Sequence, residues 1–216
     1  KKELLELADQ VGPYICALKT HIDTVADFDS ELLVKLKSLS QKHNFLILED
    51  RKFADIGHIA KQQFTSAPLN IADWADMVTV HVVAGSSSID ALRSTGQLGT
   101  TGLVVVAQMS TEDTLTSREY TKKALQIAQK HQDVVVGIVG QNKRPSDAGL
   151  MMFTPGIKLE AGGDDHGQVY NTSQEALQIY TNSNAGDNYF IQEPSVTLET
   201  DLVSYWTFEG DATDTI

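Results

Sequence analysis

The sequence predicts an α/β protein with a parallel sheet, and two features support this class. Short apolar runs, each bounded by polar or turn-forming residues, alternate with segments of helical periodicity. The alternation repeats about every 30 residues, the length of a strand–helix unit, and it places helices outside a parallel sheet. Such spacing fits a closed (β/α)8 barrel or an open doubly wound sheet. No Gly-x-Gly-x-x-Gly follows the first strand, which disfavours a dinucleotide-binding fold.

Six strands are predicted from apolar runs that are continuous enough to be buried on both faces. They cover residues 14–19, 45–50, 77–81, 103–107, 134–139 and 150–153. Helices are predicted at residues 1–10, 30–43, 57–64, 87–94 and 117–130. In the last of these, Tyr120, Ala124 and Ile127 recur at the spacing of one helix face.

The chain changes character near residue 180. A (β/α)8 barrel has eight strands, and a strand before the first helix would lie upstream of residue 1. A helix is expected near residues 173–179, then a polar stretch, then β-like segments at 195–199 and 202–208. Residues 181–216 contain seven acidic side chains and no Lys or Arg. We therefore predict a barrel domain at residues 1–180 that lacks its first strand, and an atypical acidic β-like tail at residues 181–216.

Composition disfavours several classes of partner. The chain has 17 Lys and Arg against 29 Asp and Glu, and a formal net charge of −12 argues against a nucleic-acid surface. No apolar run approaches the ~18 residues of a membrane span. The N-terminus shows no secretory signal, and the single cysteine, Cys16, fits a buried, reduced thiol. A cytoplasmic protein without nucleic-acid or membrane partners is expected.

The most informative motif, EDRKFADIG at residues 49–57, ends the second predicted strand. Residues two apart on a strand face the same side, so Asp50 and Lys52 are expected to point the same way. They lie at the C-terminal end of the strand, where barrel enzymes place their active sites. Asp55 lies past the strand, where the backbone can turn it elsewhere. Taken alone, a D-x-K-x-x-D pattern is more often a surface ion pair at a strand end.

Four segments in order along the chain resemble orotidine 5'-monophosphate decarboxylases of the eukaryotic type. They are LKTHID at 18–23, EDRKFADIG at 49–57, AQMS at 107–110, and FTPGI at 153–157 followed by GQVY at 167–170. The resemblance extends over residues 13–180 and implies a (β/α)8 TIM-type barrel. It also implies a lyase that converts orotidine 5'-monophosphate to UMP and CO2 in de novo pyrimidine biosynthesis, without a metal or an organic cofactor.

The resemblance implies catalytic roles for four charged residues. Lys52 would stabilise the negative charge that develops at C6 of the pyrimidine and then donate a proton to C6. Asp50 would crowd the departing carboxylate and help to position Lys52, and Lys19 would complete the charged network. Asp55 would act in the partner's active site, across the interface of an obligate homodimer.

The resemblance also implies contacts with the substrate. The substrate-binding residues would be His21 near the ribose, Ser110 at the pyrimidine, Pro155 in the Thr-Pro-Gly turn, and Gln168 and Tyr170 at the phosphate. The loop at residues 140–149 would close over the site, and its Lys143 and Arg144 suit attraction of a nucleotide phosphate.

The sequence departs from the family pattern at three points. Nothing matches the upstream strand, which carries an aspartate near the ribose in the family. Ile59 stands where the family usually has a threonine that contacts the partner's substrate. The family's last strand is followed by Gly-Arg-Gly, whose arginine grips the phosphate, whereas this chain has no arginine after Arg144. These departures leave open a catalytically impaired decarboxylase-like domain, truncated or fused, that retains at most nucleotide binding.

Two other functions remain as alternatives. A phosphosugar enzyme on the same barrel, such as a relative of hexulose-phosphate synthase or ribulose-phosphate epimerase, is disfavoured by the uninterrupted EDRKFADIG motif. A carbohydrate-binding role rests on Trp206 and Phe208, because residues 202–212 weakly resemble the opening strand of a concanavalin-like sandwich. Alternating aromatic residues are, however, more often part of a core.

Overall fold

The computed structural model describes residues 1–96, 100–141, 149–158, 162–163, 167, 169–175, 189–192 and 203–208. Six strands correspond to the predicted apolar runs: β1 Ala17–Thr20, β2 Leu46–Phe53, β3 Met77–Val80, β4 Gly102–Val106, β5 Val135–Val139 and β6 Met151–Thr154. The helices that accompany them are α1 Lys2–Val11, α2 Ser30–His43, α3 Gly57–Thr65, α4 Ser87–Arg93 and α5 Arg118–Lys130. Short 3-10 helices lie at Gly12–Tyr14, Ile22–Thr24 and Ile71–Asp73.

The first strand begins later than the sequence predicted. Residues 14–16 were expected in the strand, but Gly12–Tyr14 form a 3-10 turn with a proline in its first residues, and β1 starts at Ala17. Pro13 fixes its own φ in the helical range and lacks an amide donor for a strand ladder, which accounts for the difference.

Local signals in the sequence fix the ends of the two longest helices. Asp29 precedes α2, and its side chain accepts a hydrogen bond from the backbone N–H of Leu32 at 3.0 Å. Asn44 ends the same helix in the left-handed conformation, with φ of 59°. Ser117 caps α5 by accepting from the backbone N–H of Tyr120 at 3.2 Å. The two side-chain caps set where α2 and α5 begin, and Asn44 sets where α2 ends and the chain enters the following strand.

In the part of the chain that the structure describes, eight strands close a barrel in the order β1-β11-β10-β6-β5-β4-β3-β2. Strands β1 to β6 are parallel, as predicted, and they confirm the TIM-type architecture. The remaining two strands are β10 Tyr189–Gln192 and β11 Val203–Phe208. Strand β10 pairs parallel to β6, whereas β11 runs antiparallel to both β10 and β1. The tail therefore supplies the strands that bring the two edges of the parallel sheet together.

Only part of the tail prediction can be compared with the structure. The predicted β-like segment at 202–208 corresponds to β11, and the segment at 195–199 lies outside the described residues. A small sheet of three further strands, in the order β7-β9-β8, lies outside the barrel order. Its members are β7 Ile157–Lys158, β8 Gly162–Gly163 and β9 Val169–Thr172.

The core has two layers, as expected when alternate residues of each strand face inside and outside a barrel. One buried cluster, drawn from β1, β2, β3, β4 and β6, fills the barrel interior and consists of Ala17, Leu48, Met77, Val104 and Phe153. The larger cluster joins the outer faces of the strands to the helices and includes Leu18, Ile47 and Val78, each 0% exposed. Among the described residues, no helix has the length and apolarity needed to cross a membrane.

Candidate active site

A bulge at the end of β2 shapes the centre of the site. Glu49 pairs with Val78 and Phe53 pairs with Val80, so three residues of β2 lie opposite the single residue Thr79 of β3. Lys52 lies inside this bulge with φ of 50°, a left-handed conformation that is rare for a side chain other than glycine. Bulges next to active sites redirect side chains, and this one turns Lys52 towards Asp50.

Thr79 ties the bulge together through its hydroxyl group. The backbone N–H of Lys52 donates to Thr79 Oγ1 at 2.8 Å, and that hydroxyl donates to Asp50 Oδ1 at 2.7 Å. Thr79 itself is 1% exposed. One buried hydroxyl therefore fixes both the unusual backbone of Lys52 and the orientation of the Asp50 carboxylate.

Asp50 is the buried hub of a cluster of positive charge. Its Oδ2 lies 2.6 Å from Lys52 Nζ, 3.2 Å from Lys19 Nζ and 3.5 Å from His21 Nε2. Burial alone would raise the pKa of the Asp50 carboxyl, but the two ammonium groups outweigh that effect and hold its pKa well below the ordinary value. Burial, opposed by Asp50, lowers the pKa of His21. At neutral pH the site therefore holds an ionised Asp50 between two lysines.

Lys19 and His21 reach Asp50 from the end of β1, since Lys19 lies in the strand and His21 directly follows it. The strand ends at Thr20, and the segment after it is anchored by Glu49, which faces away from the barrel interior. The Thr20 hydroxyl donates to Glu49 Oε2 at 2.7 Å, and the backbone N–H of Ile22 donates to both carboxyl oxygens at 3.2 Å. Glu49 is 0% exposed, and burial raises its pKa to about 8. Glu49 thus holds the chain on both sides of His21.

A cavity of about 180 Å³ opens onto Lys52 and Asp50. It is lined by Lys19, Leu48, Asp50, Lys52, Thr79, Gln108, Met109, Ser110, Val139, Pro155, Gly156 and Tyr170. The structure thus brings together six of the nine residues singled out from the sequence, namely Lys19, Asp50, Lys52, Ser110, Pro155 and Tyr170. His21 adjoins them through its contact with Asp50.

The two remaining candidate residues are Asp55 and Gln168. Asp55 is exposed, and its carboxylate accepts a hydrogen bond from the backbone N–H of Ile56 at 2.7 Å. Asp55 forms no ion pair with Lys52, whose ammonium contacts Asp50. Gln168 lies outside the described residues, and so does most of the predicted lid loop, including Lys143 and Arg144.

Two residues at the site were missed by the sequence reasoning. Thr79 could have been found as a polar residue within the apolar strand MVTV, two positions after the inward-facing Met77. Glu49 was quoted as part of the motif but given no role, although an acidic residue in the middle of a buried strand needs a buried partner. Both signals lie in the burial pattern and not in a motif.

The arrangement can stabilise and protonate a carbanion. The Lys52 ammonium lies 2.6 Å from the Asp50 carboxylate, and this contact preorganises it to meet negative charge that develops in the cavity. An ionised Asp50 would repel an anionic substituent placed beside it. The side chains of the described residues include no cluster of three or more His, Cys, Asp or Glu groups positioned to hold a metal ion.

Comparison with known proteins identifies the family. Residues 1–184 match the family model described as orotidine 5'-phosphate decarboxylase / HUMPS family. The chain belongs to this family. Its curated relatives include an orotidine 5'-phosphate decarboxylase of Phycomyces blakesleeanus, 43% identical over 179 residues, which cover 82% of this chain and 67% of that protein. The corresponding enzyme of Schizosaccharomyces pombe is 42% identical over 178 residues, with coverage of 82% and 67%.

A longer relative and two solved structures extend the comparison. A uridine 5'-monophosphate synthase of Bos taurus is 41% identical over 176 residues, which cover 82% of this chain and 37% of that protein. The orotidine 5'-monophosphate decarboxylase of Methanocaldococcus jannaschii, solved with the inhibitor BMP, superposes with a TM-score of 0.64 at 20% identity, covering 89% of this chain and 83% of that one. The Sulfolobus solfataricus enzyme gives a TM-score of 0.59 at 19% identity, covering 88% and 82%. At this identity the solved structures establish the barrel fold.

Proposed function

We propose that this protein decarboxylates orotidine 5'-monophosphate to UMP and CO2 in pyrimidine biosynthesis. The observation that carries the proposal is the buried Asp50 carboxylate with the Lys52 ammonium 2.6 Å away and the Lys19 ammonium 3.2 Å away, at the mouth of a cavity. Curated relatives with this name, more than 40% identical over most of the chain, support the same reaction.

In the proposed mechanism, Lys52 carries the chemistry. The bond between C6 and the carboxylate carbon breaks, CO2 leaves, and the electron pair remains on C6. The Lys52 ammonium stabilises that charge and transfers one of its protons to C6, after which the neutral amine recovers a proton from water. Asp50 repels the substrate carboxylate before the bond breaks and holds Lys52 in place, and Lys19 keeps Asp50 ionised. The chain's own side chains supply the chemistry, so no cofactor is invoked.

Substrate contacts are proposed for residues that line or adjoin the cavity. Ser110 would hydrogen-bond the pyrimidine ring, Pro155 would form part of the wall, and His21 would lie beside the ribose. Tyr170 and Gln168 would reach the phosphate. The cavity lining supports the assignments of Ser110, Pro155 and Tyr170, and the contact with Asp50 supports that of His21.

A homodimer is proposed in which Asp55 acts in the partner's active site. Asp55 is exposed and lies immediately after the strand that carries Lys52, yet it takes no part in the network of its own subunit. Exposed apolar side chains follow β2 and β3. Ile56 and Ile59, after β2, are 65% and 39% exposed, and Val83, after β3, is 69% exposed. Such a surface beside an unused carboxylate suits a second copy of the chain.

The catalytically impaired domain and the phosphosugar enzyme are the competing proposals. The intact Asp50–Lys52–Lys19 network favours decarboxylation over both. A cytoplasmic location is proposed because Cys16, the single cysteine of the sequence, is present as a thiol and not in a disulfide.

Product analysis in heavy water tests the proposed reaction. Purified protein is incubated with orotidine 5'-monophosphate in D2O, and the products are examined by mass spectrometry and proton NMR. Because the Lys52 ammonium exchanges with solvent, UMP is expected to carry one deuterium at C6, with one CO2 released per UMP. If folded protein forms no UMP, the proposed reaction is refuted. If the UMP formed carries ordinary hydrogen at C6, protonation by an exchangeable group is refuted.

A further inference from the structure

The geometry points to Lys158 as a cation that binds the substrate phosphate, an inference that deepens the proposed function and rests on it. Lys158 ends β7, opposite Thr172 of β9. Its Nζ lies 3.6 Å from the centroid of the Tyr170 ring, and Tyr170 lines the cavity that contains Lys52. The ammonium is therefore held beside the cavity wall, on the side formed by β7 and β9.

This part of the wall is fastened to the barrel by hydrogen bonds. The backbone N–H of Asn171 donates to Gly156 O at 2.7 Å, and that of Val169 donates to Ser110 O at 2.7 Å. The side chain of Gln141 donates to Pro155 O at 2.9 Å. These bonds fix the backbone under Lys158 relative to Ser110, which lines the same cavity.

Lys158 is available to an anion in a way that the two lysines of the cavity lining are not. Lys19 and Lys52 both contact Asp50. Lys158 forms no ion pair with a carboxylate among the described residues, and its ammonium lies over the face of the Tyr170 ring. A cation–π contact at an exposed site is worth about 0.5–1 kcal/mol, less than a charge-assisted hydrogen bond to phosphate. The ammonium can therefore turn from the ring to a phosphate that arrives beside Tyr170.

The ligand class follows from the distribution of charge in the cavity. A nucleotide whose base lies between Lys52 and Ser110 has to place its phosphomonoester elsewhere along the lining. Near Asp50 a dianion would be repelled, whereas the wall at Tyr170 offers a cation and a phenol. Lys158 is thus assigned to the phosphate of a nucleoside monophosphate. The sequence contains no Lys or Arg after it.

Calorimetric titration of UMP and uridine tests this role, because uridine lacks only the phosphate. Wild type is expected to prefer UMP. Lys158→Gln is expected to weaken UMP binding about 10- to 100-fold, the range for a hydrogen bond to a charged group, and to leave uridine binding unchanged. Lys158→Arg should retain most of the preference. Lys123→Gln removes the same charge from the exposed face of α5 and should bind both ligands as wild type does.

Three outcomes would overturn the assignment. Lys158→Gln could bind UMP as wild type does, it could lose affinity for uridine and UMP equally, or wild type could fail to distinguish the two ligands. Decarboxylation by wild type, measured in parallel, separates this inference from the proposed function. Turnover with no effect of Lys158→Gln would refute only the phosphate contact, whereas a protein with neither UMP binding nor turnover would refute both.

Independently, the bulge in β2 leads us to propose Thr79 as a positioning residue for Lys52. Its hydroxyl accepts from the Lys52 backbone and donates to Asp50, and it is the single β3 residue opposite the three bulged residues. Valine has the same shape but no hydroxyl, so Thr79→Val leaves a buried N–H and a carboxylate oxygen without this partner. Serine keeps the hydroxyl.

A comparison of these two variants separates positioning from simple packing. Thr79→Val is expected to lower kcat about 10- to 100-fold with little change in UMP affinity, because this hydroxyl is already engaged by the Lys52 backbone and Asp50. Thr79→Ser is expected to recover kcat to within a few fold of wild type. Wild-type kcat in Thr79→Val, or equal loss in both variants, would overturn the proposal.

Discussion

Glu49 provides a stability prediction that follows from burial and hydrogen bonding. The substitution Glu49→Gln keeps the shape of the side chain and an oxygen that can accept from the Ile22 N–H, but the amide cannot ionise. In the folded protein burial raises the pKa of Glu49 from 4.5 to about 8. The native state therefore holds this proton more tightly than the unfolded chain does.

The sign and size of the effect follow from that difference. A raised carboxyl pKa contributes stability that is fully present below pH 4.5 and is lost as the pH rises towards about 8. At ~1.36 kcal/mol per pH unit, the gap between the two pKa values corresponds to roughly 5 kcal/mol as an upper limit. Local rearrangement around an ionised Glu49 reduces this amount, and an effect of at least about 2 kcal/mol is expected.

Urea denaturation of both proteins at pH 5 and pH 9 measures the effect. Other titrating groups are common to both proteins and cancel in the difference between their free energies of unfolding. Glu49→Gln is expected to gain at least about 2 kcal/mol relative to wild type between pH 5 and pH 9. A difference that stays constant across this range would refute the reasoning that Glu49 is protonated in its buried site.

Three further predictions concern packing, assembly and charge. Gly137→Ala is expected to lower the free energy of unfolding by about 1–3 kcal/mol in denaturation experiments, because the new Cβ would lie 2.6 Å from a ring carbon of Phe153. Unchanged stability would contradict the close packing of the barrel interior. Ile56→Asp is expected to shift the protein to monomers in analytical ultracentrifugation. Val34→Asp, which alters a similarly exposed residue on α2, should leave a dimer. If both variants remain dimers, the proposed interface is contradicted. Asp50→Asn is expected to lower kcat about 100-fold or more, because it removes the charge that holds Lys52; steady-state kinetics showing a smaller loss would reduce Asp50 to a structural role.

The arrangement of strands and helices could be predicted because the signals are local. Each of the parallel strands is a short apolar run, and α2 and α5 carry recognisable caps at Asp29 and Ser117. The structure placed each of these elements within a few residues of its predicted position. The largest differences are three residues, at the start of β1, where Pro13 favours a turn, and at the end of β2, which extends to Phe53.

The closure of the barrel could not be predicted from local signals. Strand β11 is antiparallel and pairs with β1, which lies far away in the sequence, with Ala17 opposite Trp206 and Thr20 opposite Val203. The alternation of the tail indicated strands, but neither their partners nor their direction. Pairing between distant segments depends on the three-dimensional arrangement of the sheet edges.

The meeting of Asp50 and Lys52 was predicted correctly but for an incomplete reason. Simple alternation along a strand suggested that the two side chains share a face. The structure instead achieves the contact through a bulge, with Lys52 at a φ of 50° and Thr79 completing the hydrogen bonds. A sequence pattern of period two contains no signal for such a bulge, because its cause lies in the neighbouring strand.

Steady-state turnover of orotidine 5'-monophosphate, followed by the loss of its absorbance, tests the central claim most directly. Wild type is compared with Lys52→Ala, and with Lys123→Ala as a control on the exposed face of α5. We expect clear turnover by wild type and by the control, and a loss of at least about 10⁴-fold in Lys52→Ala, since both charge stabilisation and proton donation are removed. Folded wild-type protein without turnover, or a Lys52→Ala variant as active as wild type, would contradict the assignment of decarboxylation to the Asp50–Lys52 network.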